Sequence, residues 1–298
     1  MTSLWIFAAF GTAACFAVSN VFAYDAARAL GAVKFSFVRM SLVALGFAAL
    51  LAITGFDPSI NLADVKLLIL SGISGVFLAD TFRYSSLARV GPALQSLLAT
   101  TTAPFTLLLG FVILGQVVGG LPLLGTAIVF TGILLAVISR NSEALTRFSG
   151  VQTGLGSGIL FGLAAALTQS GSILIAAPVM LKGVDPISAT FIRSAAGSAS
   201  LILPALFTAA NGARIRTMSQ SIMQQVLLSA VVGTGLGMTL QLYALRNGPA
   251  GIVSTLSSTT PLVILPLIWI VGKSRPHRLA WIGAAFAVAG VGLIVNSG

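Results

Sequence analysis

The sequence predicts an all-α polytopic membrane protein with ten transmembrane helices, arranged as two inverted five-helix repeats. Three observations lead to this prediction. Hydrophobic residues make up 57% of the 298 residues and charged residues only 7%, which is too few charges for the surface of a soluble domain of this size. The chain contains ten long apolar runs, and its second half repeats the first.

Each apolar run is long enough to cross the hydrocarbon core as a helix, which takes roughly 20 residues because backbone polar groups must be bonded within their own segment. The ten runs lie at 4–24, 35–54, 66–87, 91–114, 121–139, 154–177, 186–209, 223–245, 249–271 and 279–296. No basic segment precedes the first run and no small-residue cleavage site follows it. We therefore expect a retained span and not a removed signal peptide.

The net charge of +10 does not indicate nucleic-acid binding, because the basic residues form no stripe and no aromatic stacking platform accompanies them. Most of them fall in predicted loops on one side of the membrane, with few on the other. The first side has Arg28, Lys34, Arg89, Arg140, Arg147, Arg214, Arg216, Lys273, Arg275 and Arg278, and the second has Lys66, Lys182 and Arg246. By the positive-inside rule, both termini lie outside the cytoplasm.

The internal repeat appears when the chain is shifted on itself. A shift of 157 positions places residues 89–93 on residues 246–250, which share the pattern Arg-x-Gly-Pro-Ala, and places Pro104 on Pro261. The repeat predicts two units, residues 1–148 and residues 149–298. Because each unit has an odd number of spans, the second enters the membrane upside down, an arrangement typical of transporters.

Polar side chains within the spans indicate a solute site between the two units. Hydroxyl-rich stretches precede Pro104 and Pro261, and a proline inside a helix frees a carbonyl and kinks the helix, so we predict kinks at both prolines. The candidate substrate-binding residues are Asp80, Arg83, Asn20, Gln95, Thr100, Thr101, Gln169, Gln241, Ser257 and Ser258. The hydroxyls and amides also suit kink repair and helix packing, and this alternative stays open.

Asp80 and Arg83 lie in the third span, where ionisable residues are costly and are functional candidates by default. Their spacing places them on one helical face, where they can pair. A self-neutralised structural pair and a role in substrate or proton binding are both compatible with this spacing. Because the equivalent positions in the second unit are Gly237 and Leu240, the charge is asymmetric. We expect Asp80→Asn or Arg83→Ala to abolish transport and leave folding intact.

Two further patterns predict structural roles. Arg39 and Arg193 occupy matched positions near predicted span starts, from which their side chains are expected to reach the lipid head groups. Glycine stripes on spans five, six and ten predict close helix packing or a dimer face. These stripes consist of Gly125, Gly132, Gly154, Gly158, Gly162, Gly283 and Gly290.

The chain resembles the ten-span EamA-type transporters of the drug/metabolite transporter superfamily. The resemblance rests on residues 37–39 (Phe-Val-Arg), residues 79–87 (Ala-Asp-Thr-Phe-Arg-Tyr-Ser-Ser-Leu) leading to Gly91, and Pro104 followed by Gly115. It implies a secondary carrier, in many cases an exporter of amino acids or related metabolites, with a central cavity lined by spans from both halves.

The chain departs from the pattern of this family in two respects. Family members often have an acidic residue at the end of span four, where this chain has Gln116 after Gly115. The family's usual orientation places both termini in the cytoplasm, opposite to the result of the loop-charge count.

The leading hypothesis is a secondary transporter, an exporter of small polar or zwitterionic metabolites such as amino acids, working by alternating access in the bacterial cytoplasmic (inner) membrane. Arg83 would attract a carboxylate, and Asp80 would attract an amine or carry a proton, which leaves proton coupling open. The expected partners are the small-molecule substrate and the lipid bilayer, with the chain a monomer or homodimer. The alternatives are a flippase for a lipid-linked sugar or phospholipid, or a non-transporting membrane subunit.

The sequence contains none of the motifs that bind nucleotides or metals or that form a nucleophile elbow, so we expect no enzyme activity, no cofactor and no metal.

Overall fold

The computed structural model describes residues 4–114, 120–139, 154–210, 219–248, 250–272 and 277–295, and within these ranges the secondary structure is helical, without strands. Several residues used in the sequence predictions lie outside the described residues. They are Gly115, Gln116, Arg140, Arg147, Arg214, Arg216, Pro249, Lys273 and Arg275.

The described helices follow the predicted order in both halves, with breaks inside some predicted spans. The first half contains α1 Leu4–Leu30, α2 Ala32–Thr54, α3 Leu62–Gly72, a first π segment Ile73–Ala79, α4 Asp80–Ala99, α5 Thr102–Leu114 and α6 Gly120–Ser139. The second half contains α7 Leu155–Leu181, α8 Pro186–Ala210, α9 Gln220–Ser229, a second π segment Ala230–Met238, α10 Thr239–Asn247, α11 Ala250–Ser257, α12 Thr260–Gly272 and α13 Arg278–Val295.

Among the described residues, six helical stretches are long and apolar enough to cross a membrane. These are Leu4–Leu30, Ala32–Thr54, Leu62–Ala99, Leu155–Leu181, Pro186–Thr208 and Gln220–Asn247. Shorter apolar helices follow at Thr260–Ile270 and Arg278–Leu293. The chain is therefore a multi-pass membrane protein, because apolar helices of this length satisfy their own backbone groups in lipid.

A break between two helices precedes each of the two prolines predicted to kink a span. Pro104 is the third residue of α5 and Pro261 the second residue of α12, where a missing backbone N–H removes no bond from the helix. The carbonyls near each break are bonded locally. The Ala103 N–H donates to the Thr100 carbonyl at 3.2 Å, and the Thr260 hydroxyl donates to the Ser257 carbonyl at 2.9 Å.

The two π segments occupy equivalent places in the two halves, since Ala230 lies 157 positions after Ile73. Each follows a capped helix: the Asn61 side chain accepts from the Asp64 N–H at the start of α3, and the Ser219 side chain accepts from the Ile222 N–H at the start of α9. Side-chain capping of this kind satisfies the free N–H groups of a first turn. π segments are rare in proteins, and those that occur often lie at functional sites.

The contacts between the halves are reciprocal at these segments. The Ser19 hydroxyl on α1 donates to the Ser229 carbonyl at 3.2 Å, and the Ser172 hydroxyl on α7 donates to the Ser71 carbonyl at 2.8 Å. Each half thus places a serine from its first helix against the third helical stretch of the other. The two halves therefore use matched serine positions to contact each other.

The glycine stripes on α6 and α13 pack these two helices against each other. A Cβ added at Gly132 would stand 2.5 Å from the Gly283 carbonyl oxygen, and one added at Gly290 would stand 2.5 Å from the Gly125 carbonyl oxygen. The predicted close helix packing is confirmed, and the contact lies within the chain.

Asp57 joins the α2–α3 loop to the start of α8. Its carboxylate accepts from the Ser59 hydroxyl at 2.6 Å and from the Asp185 N–H at 2.7 Å. The Ser59 hydroxyl is the largest cause that lowers the pKa of Asp57 below its ordinary value. A carboxyl group with a lower pKa in the folded state stabilises the protein above its unfolded pKa of about 4, and this stability is lost as pH falls through the folded pKa.

We therefore expect Asp57→Asn to flatten the acid side of the thermal stability profile. Above pH 4 the wild type should melt at a temperature higher than Asp57→Asn by about 2 °C or less, because the loop is solvated. As pH drops below about 4, the melting temperature of the wild type should fall and this difference should vanish. Ser59→Ala should reproduce most of this change. Identical profiles for Asp57→Asn and the wild type would contradict the assignment.

Candidate functional site

A polar cavity of about 60 Å³, here called the central cavity, lies between helices of the two halves. Helices α1, α4 and α5 of the first half and α7, α10, α11 and α12 of the second contribute to its wall. It is lined by Phe16, Asn20, Arg83, Gln95, Ser96, Ala99, Thr102, Gln169, Ile173, Gln241, Ser254, Ser257, Ser258 and Thr260. A solute held there would contact both halves at once.

A smaller pocket of about 20 Å³, here called the charged pocket, adjoins the central cavity. The two share Phe16, Arg83, Gln169 and Gln241 in their walls. The charged pocket adds Arg39, Gly75, Val76, Asp80, Arg193, Thr234 and Met238. Apolar, amide and charged surfaces thus adjoin one another between the two halves.

Asp80 begins α4, directly after the first π segment, and is the centre of a buried ion-pair network. One carboxylate oxygen is 3.0 Å from Arg83 on the same helix and the other is 3.2 Å from Arg39 on α2. The predicted pairing of Asp80 with Arg83 is confirmed. Both carboxylate oxygens are occupied by guanidinium groups.

The expectation that Arg39 and Arg193 reach the lipid head groups is wrong. Their exposed fractions are 2% and 1%. Each is the eighth residue of its helix, α2 or α8. Both arginines therefore lie inside their helices and not at the ends of the spans. The Arg39 Nε donates to the Ser229 carbonyl at 3.2 Å, and its guanidinium lies 5.0 Å from the ring centre of Tyr84.

Most of the predicted site residues lie on one of these two pockets. The central cavity includes Asn20, Arg83, Gln95, Gln169, Gln241, Ser257 and Ser258, and the charged pocket includes Asp80. The Asn20 amide donates to the Gln95 amide oxygen at 3.1 Å, which fixes the orientation of both side chains.

Thr100 and Thr101 line neither pocket. Their side chains are fully buried, and their hydroxyls donate to the Leu97 and Leu98 carbonyls at 2.7 and 2.6 Å. The neighbouring Thr102 lines the central cavity instead. The two hydroxyls complete the helix end before Pro104, as Ser and Thr side chains do at breaks.

Two hydroxyls on α11 are buried and lack hydrogen-bond partners among the described residues. They belong to Ser254 and Ser257, both on the wall of the central cavity. Buried polar groups are seldom left unbonded, so these hydroxyls are available to a ligand. Ser254 was not among the predicted site residues, although its i, i+3 spacing from Ser257 places both on one helical face.

The comparisons with known proteins agree with this architecture. A model of the EamA-like transporter family matches residues 3–138 and again residues 156–296. The chain belongs to the EamA-like transporter family. Members of this family are membrane transporters of the drug/metabolite type, and the chain is therefore a transporter of this type.

A solved structure, described as a crystal structure of a protein, has a fold similar to that of this EamA-like transporter. The TM-score is 0.66 at 16% sequence identity, over 98% of this chain and 96% of that chain. It is among 28 solved chains that match. At this identity the likeness concerns the fold alone. No curated protein matches the sequence.

Proposed function

We propose that this chain is a secondary transporter, an exporter of small polar or zwitterionic metabolites such as amino acids, in the bacterial inner membrane. It works by alternating access at the central cavity, with residues 1–148 and 149–298 as two inverted five-helix repeats. The observation that carries the proposal is a polar cavity walled by both halves, with the Ser254 and Ser257 hydroxyls unbonded. A polar solute in the cavity would supply hydrogen-bond partners to these two hydroxyls.

The reciprocal contacts between the halves support alternating access. The serine contacts of α1 and α7 are reciprocal, as are the glycine contacts of α6 and α13, and two inverted repeats related by a two-fold axis would make such contacts. Units related in this way can exchange conformations, so that a site between them opens first to one side and then to the other.

Arg83 is the residue best placed to bind a carboxylate group of the solute. Its side chain is 15% exposed, the largest exposure in the Asp80 network, and it lines both pockets. Its guanidinium forms an ion pair with Asp80 at 3.0 Å and lies 5.6 Å from the Phe16 ring centre. Asp80, with both oxygens engaged, positions Arg83, and Gln169 and Gln241 supply hydrogen bonds from the second half.

The transport test uses purified protein in proteoliposomes with labelled amino acids, sugars and lipids, with and without a pH gradient. Arg83→Gln should lower the transport of the cognate solute about 10- to 100-fold, because a charge-assisted hydrogen bond contributes about 1.5–3 kcal/mol. Dependence of flux on the gradient would indicate proton coupling.

Thr131→Ala is the matched control, since the Thr131 hydroxyl is exposed and donates to the Ala127 carbonyl of its own helix. Its transport rate should equal that of the wild type. Equal rates for Arg83→Gln and the wild type would remove Arg83 from the binding site.

One observation favours a flippase as a second candidate. An apolar groove of about 480 Å³ is lined from α2 by Leu42, Phe47 and Leu50 and from the second half by Leu227 and Leu236. A flippase needs a lateral path for the acyl chains of its lipid, and an apolar groove suits such a path. Lipid flux in the same screen, without amino acid flux, would favour the flippase, and no flux of any solute would favour a non-transporting subunit.

A further inference from the structure

The charged pocket holds more positive than negative charge. Its wall contains the guanidinium groups of Arg39, Arg83 and Arg193 but, among the described residues, a single carboxylate, that of Asp80. Guanidinium groups stay protonated in proteins. The pocket therefore has a net charge of two positive units before any ligand binds.

Asp80 cannot neutralise all three arginines. One of its oxygens is 3.2 Å from Arg39 and the other is 3.0 Å from Arg83. Arg193 forms none of the ion pairs found among the described residues. It donates from one terminal nitrogen to the Ser172 hydroxyl at 3.0 Å, and its Nε has no hydrogen-bond partner there.

The repeat explains why Arg193 lacks a carboxylate. Arg193 matches Arg39 of the first half, and Arg39 has Asp80 as its ion-pair partner. The position equivalent to Asp80 in the second half is Gly237, under the shift of 157 that also relates the π segments. The chain thus keeps the second arginine and omits its acid.

The polar groups around Arg193 fit an oxyanion. Gln169 and Gln241 line both pockets, so each contributes to the central cavity and to the charged pocket that Arg193 also lines. Gln241 is itself the equivalent of Tyr84, whose ring covers Arg39 in the first half. The second half therefore has the amide of Gln241 where the first half has the aromatic ring of Tyr84.

We infer that the transported solute is a small organic anion, whose carboxylate or phosphate group neutralises Arg193 in place of the acid that the second half lacks. This inference rests on the proposed function and narrows its substrate class to solutes with net negative charge. Burying an unpaired charge is costly, and an arriving counter-charge removes that cost. Binding of an anion should therefore stabilise the folded protein, whereas its neutral isostere should not.

The first test measures the melting temperature of the purified protein at constant ionic strength with paired solutes. The pairs are glutamate and glutamine, aspartate and asparagine, and succinate and succinamide, with inorganic phosphate as a separate arm. We expect the anionic members to raise the melting temperature by a few degrees and the neutral members to leave it unchanged. A response to phosphate alone would assign the oxyanion to a phosphate ester, and a response to the carboxylates to an organic acid.

The second test removes the charge. Arg193→Met should abolish the anion response and, without anions, should melt at or above the wild-type temperature, since an unpaired buried charge is gone. Arg39→Met is the matched comparison: it should melt well below the wild type, because one Asp80 oxygen loses its guanidinium. Should Arg193→Met fail to insert, Arg193→Gln keeps a donor for Ser172 and should lose the anion response in the same way.

Three results would overturn the inference: equal stabilisation by neutral and anionic members, no response of the wild type to any anion, or Arg193→Met melting as low as Arg39→Met. Counterflow in proteoliposomes separates this failure from failure of the proposed function. Transport confined to neutral or cationic solutes would contradict only the anion inference. Anion-dependent stabilisation without flux of any solute would contradict only the transport proposal.

Discussion

Replacing Asp80 with alanine should lower the free energy of unfolding by about 3–5 kcal/mol, because it leaves buried guanidinium groups without their carboxylate. Arg39 is 2% exposed and Arg83 is within 3.0 Å of Asp80. The corresponding fall in melting temperature is on the order of 10 °C. The sequence alone led to the opposite expectation, that Asp80→Asn leaves folding intact, because it did not place Arg39 beside this carboxylate.

Asp64→Ala is the matched control for the Asp80 substitution. Asp64 also forms an ion pair, at 2.5 Å with Lys182, but the Lys182 side chain is 54% exposed. Water can solvate this lysine after the change, so the expected loss is about 0–1 kcal/mol. In the double variant Asp80→Ala and Arg39→Met, part of the stability should return, since one unpaired charge is removed. Equal melting temperatures for Asp80→Ala and Asp64→Ala would contradict the network.

Gly290→Ala should destabilise the protein by about 1–3 kcal/mol or more, and Gly132→Ala should have a similar effect. The added methyl group would stand 2.5 Å from the Gly125 or Gly283 carbonyl oxygen. Backbone atoms cannot rotate away as a flexible side chain can, so α6 and α13 must separate. Thermal unfolding in detergent, with the fraction of folded protein measured at each temperature, gives the loss of stability.

Gly292→Ala gives the control on the same helix, since a Cβ at Gly292 meets nothing within 4 Å. It should be neutral or slightly stabilising, because alanine exceeds glycine in helix propensity by up to about 1 kcal/mol. If Gly290→Ala and Gly292→Ala unfold at the same temperature, the two helices are not in the close contact described.

Hydropathy predicted that the chain is helical and crosses the membrane several times, because a lipid-facing helix must be apolar over most of its length, but it did not predict the breaks within the spans at 91–114 and 249–271. It did not predict the two π segments, Ile73–Ala79 and Ala230–Met238. Their sequences have no local signature, and they form where Gly75 and Gly233 lie against serine side chains of the other half. Gly91, with a φ of 78° inside α4, kinks that helix, and the Gly-Pro dipeptide could have signalled this kink.

The residues that line the central cavity were predictable where their chemical type alone decides their position. The midspan residues Asn20, Gln95, Gln169 and Gln241 line the central cavity, since amides inside a membrane turn toward polar surroundings. The burial of Arg193 without an ion pair among the described residues was not predictable, because it depends on which carboxylates reach it across the fold.

The hydroxyls of Thr100 and Thr101 illustrate a second limit. Both bond to carbonyls three residues earlier at the break after α4. A threonine can bond its own backbone or face a cavity, and its position in the sequence does not distinguish the two. Only the geometry of the break decides the direction.

The most direct test of the central claim, a polar cavity alternately open to the two sides, is cysteine accessibility in sealed proteoliposomes. The chain has one cysteine, so Cys15→Ala gives a cysteine-free background for Ser257→Cys and, as an exposed control, Leu203→Cys. With a membrane-impermeant thiol reagent, Ser257→Cys should be labelled from either side and protected by transported solute, while the lipid-facing Leu203→Cys should be unreactive. Labelling from one side only, or none from either side, would contradict alternating access.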